Sequence, residues 1–138
     1  MSEREQRAAV PEPGPDAVVF RAAGNPFAVA TANPRFEARD VGVAAATGGR
    51  YAVKVFRSRE GGPVAPALHW HDADFQYVHV LRGEIEYQLA GGRRERLGAG
   101  DSIYQPEGCR HCVVWMSDDL ELLELYTPSE VRAIMVEP

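Results

Sequence analysis

The stretch that decides the fold is HWHDADFQYVHVLRG, His69 to Gly83. It begins with two histidines separated by one residue. Side chains alternate faces along a strand, so His69 and His71 point the same way and Trp70 points oppositely. The turn "DAD" follows, and then "FQYVHVL", rich in β-branched and aromatic residues and stopped at Arg82-Gly83. On that second strand Gln76, Val78 and Val80 share one face, while Tyr77, His79 and Leu81 share the other. His79 therefore falls outside the group that holds Gln76; only a bulge would bring it in.

The same alternation extends in both directions. "YAVKVFRS" places Tyr51, Val53 and Val55 on one face and Ala52, Lys54 and Phe56 on the other. "EIEYQL" and "RRERL" flank "AGG", a hairpin signal. "SIYQP", a turn at "PEG", "HCVVWM" and "LELLELY" complete the series. Nearer the start, "VVFRAA" and "RFEAR" are short extended candidates around the loop "GNPFAVATANP", and "DVGVAAATGG" predicts one helical turn ended by its glycine pair. The tail "TPSEVRAIMVEP" predicts a short helix or an edge strand. Short strands at regular spacing with Gly/Pro turns predict one all-β domain, an antiparallel sandwich or jelly-roll barrel, over residues 17–138. Residues 1–16, proline-rich and charged, predict a disordered arm.

Composition excludes several classes of function. The 138 residues are 45% hydrophobic and 25% charged, as expected of one small globular domain. With 15 Lys and Arg against 20 Asp and Glu, the net charge is −5, which gives no reason to expect nucleic acid or an anionic membrane as partner. No apolar run approaches the ~18 residues of a membrane span. The opening "MSEREQRAAVPEPGPDA" lacks the apolar core of a signal peptide, so a cytoplasmic protein is expected. Cys109 and Cys112 form a C-x-x-C, but no second ligand pair accompanies it and extended sequence follows. They read as small residues at a loop and strand start.

A third imidazole comes from His111, which opens a strand directly after a proline-glycine turn. Two neighbouring imidazoles on one strand can share an ion at about 2.0–2.2 Å, and a third from another strand completes a metal-binding group. These residues carry a resemblance. His69, His71, Gln76 and Gly83 sit at the spacing of the first cupin motif, G-x5-H-x-H-x3,4-E-x6-G, with Gln76 in the glutamate position and Pro63 in place of the opening glycine. Gly100, Pro106, Gly108 and His111 match the second motif, G-x5-P-x-G-x2-H-x3-N, with Trp115 replacing its asparagine. The chain thus resembles a small single-domain cupin, whose fold is a double-stranded β-helix. The resemblance implies a barrel with a divalent metal near its centre: Fe2+ is the first expectation, with Zn2+, Mn2+, Ni2+ or Cu2+ as others. The implied ligands are His69, His71, His111 and Gln76.

A glutamine ligand offers a neutral carbonyl oxygen where glutamate would offset one unit of charge. The ion keeps its full charge and is a stronger Lewis acid. Strand parity extends the site to Val78 and Val80 beside Gln76, and to Val113 and Trp115 beside His111. Leu123 and Leu125 are expected to close the far side, although "LELLEL" does not fix its own phase. Such a pocket suits a mostly apolar or aromatic molecule with a chelating oxygen pair. Asp72 and Asp74 read as a charged surface turn; alternatively, one of them is the acceptor for a ligand histidine's free ring N–H.

Three functions follow as expectations. The first is an enzyme acting on a small chelating aromatic or dicarbonyl substrate with dioxygenase-like chemistry. The second is a redox-neutral Lewis-acid enzyme such as a polyketide cyclase. The third is a non-catalytic metabolite-binding module, which would have no need of three histidines. No nucleophile elbow, P-loop or dinucleotide fingerprint offers another chemistry. Pairing of exposed sheet edges predicts a homodimer, with the N-terminal segment or "RAIMV" supplying a strand.

Overall fold

The alternating segments become strands in a computed structural model that describes residues 14–136. The strands are β1 (Ala28–Val29), β2 (Phe36–Asp40), β3 (Ala52–Ser58), β4 (Gly62–Pro63), β5 (His69–His71), β6 (Phe75–Arg82), β7 (Glu84–Leu89), β8 (Arg94–Gly98), β9 (Ser102–Tyr104), β10 (His111–Met116), β11 (Glu121–Thr127) and β12 (Ala133–Met135). One short helix, α1, spans Val43–Ala46. Its expected glycine stop is present, because Gly48 and Gly49 both adopt positive φ. Most of the expected disordered arm, residues 1–13, lies outside the described residues, and residues 14–16 carry no regular structure. The "VVFRAA" segment is not a strand: it runs without regular structure into a 3-10 turn at Ala22–Gly24. Its Val18, Val19 and Phe20 are exposed, so the apolar run has no sheet face to join.

Two antiparallel sheets face each other. One has the order β1-β2-β3-β11-β6-β9, and the other β12-β5-β10-β7-β8, with β4 added on β10. The jelly-roll expectation from strand spacing is met. The tail forms the edge strand β12, and it pairs within its own chain, with Ala133 opposite His71 and Met135 opposite His69.

The inward faces build the core. Val78 and Val80 from β6, Ile85, Tyr87 and Leu89 from β7, Met116 from β10 and Leu122 from β11 pack with Phe36 and Leu120. Each large apolar side chain so buried contributes about 1.5–3 kcal/mol. Val78, Ile85, Tyr87 and Leu122 also line the cavity described below, so the core is continuous with its wall.

Gly83 links β6 to β7 and is required on two counts. Its φ is +74°, and a Cβ there would lie 2.5 Å from Ser117 Oγ and 2.8 Å from Leu120 Cα. Only glycine lets the β6–β7 turn pass under the turn joining β10 to β11.

Candidate metal centre

The histidines are brought together by register. His111 on β10 stands directly opposite His69 on β5, and His71 lies two residues along β5 on the same face. Ring centroids are 4.9 Å apart for His69–His71, 4.6 Å for His69–His111 and 5.0 Å for His71–His111. One ring nitrogen from each lies within 4.8 Å of the others, close enough for all three to be drawn onto one ion.

Local hydrogen bonds prepare two of the rings. His69 Nδ1 is 2.9 Å from the Ala67 carbonyl, and His111 Nδ1 is 2.9 Å from the Cys109 carbonyl. A carbonyl only accepts, so each Nδ1 carries the proton and each Nε2 presents a lone pair. Main-chain carbonyls thus fill the orienting role, and Asp72 does not. Its carboxylate accepts from the Arg132 main-chain N–H at 2.7 Å and from Arg132 Nε at 2.8 Å, tying the tail to the β5–β6 turn. Cys109 contributes through its backbone, while the thiols of Cys109 and Cys112 are free and stand outside the histidine group.

His71 is different. Its Nδ1 is buried without a hydrogen-bond partner among the described residues. Burial, reinforced by His111 and His69, lowers its pKa to about 4, although Gln76 and Asp72 pull the other way. Burial also lowers His111. Neutral imidazoles, one with an orphaned buried nitrogen, form a donor set that fits a divalent cation.

Gln76 faces this group from the opposite sheet. It is 5% exposed and shares the cavity wall with the three histidines. Its Nε2 donates to Glu124 Oε1 at 2.5 Å. Glu124 lies on β11, and burial raises its pKa, opposed by the Gln76 hydrogen bond and the Lys54 charge. Burial would lower the Lys54 ammonium, but Tyr126, Asp40 and Glu124 together raise it. Tyr87 is pushed up by burial and by the Glu124 charge. An acid–base cluster of Lys54, Glu124 and Tyr126 therefore lines the same cavity as the imidazoles. The cavity volume is about 810 Å³.

The expected pocket residues divide. Val78 and Val113 line the cavity. Val80 is fully buried in the core, away from the lining. Trp115 lies on the outer side of its sheet, where the Arg96 guanidinium sits 4.2 Å over the indole. A β-bulge is the reason: Val113 pairs with Tyr87 and Trp115 with Glu86, so one extra residue reverses the parity after His111. Leu123 and Leu125 also face outward, because β11 turns Leu122, Glu124 and Tyr126 into the cavity. Lys54, Glu124, Tyr126 and Gln105 are the site residues that sequence reasoning missed. Alternation puts Lys54 and Phe56 on one face of β3, but nothing in the sequence says which face is inside. His79 stays on the outer face, in contact with the Tyr77 hydroxyl at 3.0 Å.

Among the described residues no helix is long and apolar enough to cross a membrane. No curated protein matches the chain. Solved structures do. The polyketide cyclase RemF from Streptomyces resistomycificus superposes with a TM-score of 0.73 at 19% identity, over 89% of this chain and 87% of its own. The Streptomyces nucleoside dehydratase Pac13 gives 0.62 at 12% identity, over 89% and 95%. The oxalate decarboxylase of Bacillus subtilis, with Mn(II) centres, gives 0.60 at 17% identity, over 88% of this chain and 34% of its own. At these identities the likeness is one of fold. The cupin domain model matches residues 55–126, more than half of the sequence and the part that carries the three histidines, so the chain belongs to the cupin family.

Proposed function

We propose that this cupin is a metal-dependent, redox-neutral enzyme that polarises a chelating carbonyl compound for proton transfer at the adjacent carbon. The observation that carries this reading is the pairing, within one cavity, of a neutral ligand set with an acid–base cluster: His69, His71, His111 and Gln76 facing Glu124, Lys54 and Tyr126. A divalent ion held there by the three imidazoles and Gln76 supplies Lewis acidity, undiminished because no ligand is anionic. Gln76 occupies Glu124 Oε1, which leaves Oε2 to take the proton from the carbon next to the carbonyl. Lys54 balances the carboxylate charge, and the walls of Phe36, Phe56 and Val113 suit an aromatic or acyl body. The cyclase and dehydratase among the similar folds are named for redox-neutral reactions, which supports the choice.

A second reading, an Fe2+ dioxygenase, is favoured by one feature: three protein imidazoles leave coordination positions open for substrate and oxygen. One experiment separates the two. Protein loaded with Zn2+, and separately with Fe2+, is incubated in D2O with a β-keto ester and an aryl diketone while oxygen is monitored. The proposal expects enzyme-dependent deuterium incorporation beside the carbonyl with no oxygen uptake. Oxygen consumption without exchange would replace it by the dioxygenase.

We also propose a homodimer. The tail strand β12 pairs with β5 on one side and, as the edge of its sheet, keeps its other side open, while the first sheet offers its outer face. There Phe75 and Tyr104 stack at 5.7 Å while 43% and 56% exposed. Light scattering that returns a monomer at micromolar concentration would end that proposal.

A further inference from the structure

Glu124 stands one side chain behind the position where the cupin motif places its carboxylate. Tyr126 pairs with Gln76 and Glu124 with Val78 across β11 and β6, so Gln76 and Glu124 are diagonal neighbours on the inner face of one sheet. An amide has a donor end and an acceptor end, whereas a carboxylate only accepts. The Gln76 Nε2–H···Oε1 Glu124 bond therefore settles which end of the amide goes where. The nitrogen turns to β11, and Oε1 is left for the cavity side, where His71 lies.

We infer that Glu124 is a positioning residue that makes Gln76 an oxygen ligand, holding its amide so that Oε1 faces the three imidazoles. The inference rests on the metal reading above and adds a division of labour to it. The motif glutamate combines a donor oxygen and a negative charge in one side chain. Here the oxygen belongs to Gln76 and the charge to Glu124, with Lys54 beside it. Without Glu124 the amide is free to turn its NH2 toward the cation, and that end cannot ligate. A glutamate at position 76 would fail for a related reason: with Glu124 unchanged, two carboxylates would meet where an amide now donates. The pair is thus expected to work as amide with acid or as acid with amide, but not as two acids.

The test is a double-mutant cycle on Zn2+ affinity, measured by competition against a fluorescent chelator. It uses the wild-type chain, Gln76→Glu, Glu124→Gln and the exchanged pair Gln76→Glu/Glu124→Gln. Removing the orienting partner of a metal ligand typically costs about 10- to 100-fold in affinity, and that loss is expected for Glu124→Leu, measured beside the cycle because it leaves Gln76 Nε2 no acceptor, whereas Glu124→Gln keeps a carbonyl that can still accept. The exchanged pair should bind at least about tenfold more tightly than Gln76→Glu alone, a rescue that a bland structural role would not produce. A second readout needs no variant and no metal. In the metal-free protein one Gln76 side-chain amide proton should resonate downfield of its partner, as a carboxylate-bonded proton does. Affinity within twofold of wild type in Glu124→Leu, additive effects in the cycle, or ordinary Gln76 amide shifts would each overturn the inference while leaving the metal reading in place. A wild-type chain that takes up no Zn2+, Co2+ or Mn2+ would overturn both.

Discussion

Replacing Gly83 with alanine tests the packing that carries strand β6, the strand of Gln76, into β7. The residue has φ +74°, where an L side chain costs about 1–2 kcal/mol. Its new Cβ would also lie 2.5 Å from Ser117 Oγ, 2.7 Å from Asp119 Oδ1 and 2.8 Å from Leu120 Cα. The two side-chain atoms have some freedom, but the Cα does not. Leu120 is 1% exposed, and Ser117 is held by hydrogen bonds in both directions with Glu84. Such overpacking costs about 1–3 kcal/mol, while the stiffer unfolded chain returns about 0.4–1 kcal/mol. The net loss is about 1–5 kcal/mol, or about 3–18 °C in Tm for a domain of this size. Thermal unfolding followed by circular dichroism measures it, with Gly98→Ala as the control. At Gly98 the added Cβ would meet nothing nearer than 3.9 Å, so little change is expected. A Gly83→Ala protein melting within about 2 °C of wild type would refute this account of the turn.

Other predictions follow from the same structure. In chelator, the metal-free fold should lose stability as pH falls from 6.5 toward about 4, because His71 and His111 hold folded pKa values below those of the unfolded chain. Glu124 acts with the opposite sign: burial raises its folded pKa, a contribution fully present at low pH and lost as pH rises through its folded value. Glu124→Gln should therefore steepen the acid loss, and a flat Tm profile in both proteins would count against the buried neutral histidines. Trp115→Ala should leave Zn2+ affinity within about twofold, since the indole packs under Arg96 on the outer face; a tenfold loss would place it in the cavity. Arg132→Ala should speed amide hydrogen exchange in β12 with little change in Tm, because it removes only the exposed bond from Nε to Asp72 and leaves the one from the main-chain N–H.

The histidine centre was legible because its signals are local. A residue spacing of two on a strand fixes one face, and a proline-glycine turn fixes where the next strand begins. His69, His71 and His111 needed nothing more than that, whereas Gln76 was marked by the resemblance to the first cupin motif, in which it takes the glutamate position. The cavity was less legible because its wall depends on phase. One inserted residue in β10 reverses every side chain beyond it, which carried Trp115 outward and Met116 inward. In "LELLEL" either face is hydrophobic enough to be buried, and the structure turns in the one that includes Glu124. A buried carboxylate is an improbable choice by hydropathy alone. It becomes intelligible only when its partners Gln76 and Lys54, from two other strands, are seen around it. Asp72 could not be resolved for the same reason, since Arg132 is 60 residues away.

Whether His69, His71 and His111 hold a divalent ion decides the reading of this site. Metal content and Zn2+, Fe2+ and Mn2+ affinities of the wild-type chain, beside His111→Ala, test it most directly. Close to one ion per chain is expected in the wild type, and removal of one imidazole should weaken affinity by more than the about 10- to 100-fold that losing an orienting partner costs. A folded wild-type chain that stays empty with every ion, or a His111→Ala variant that binds as tightly, would contradict it.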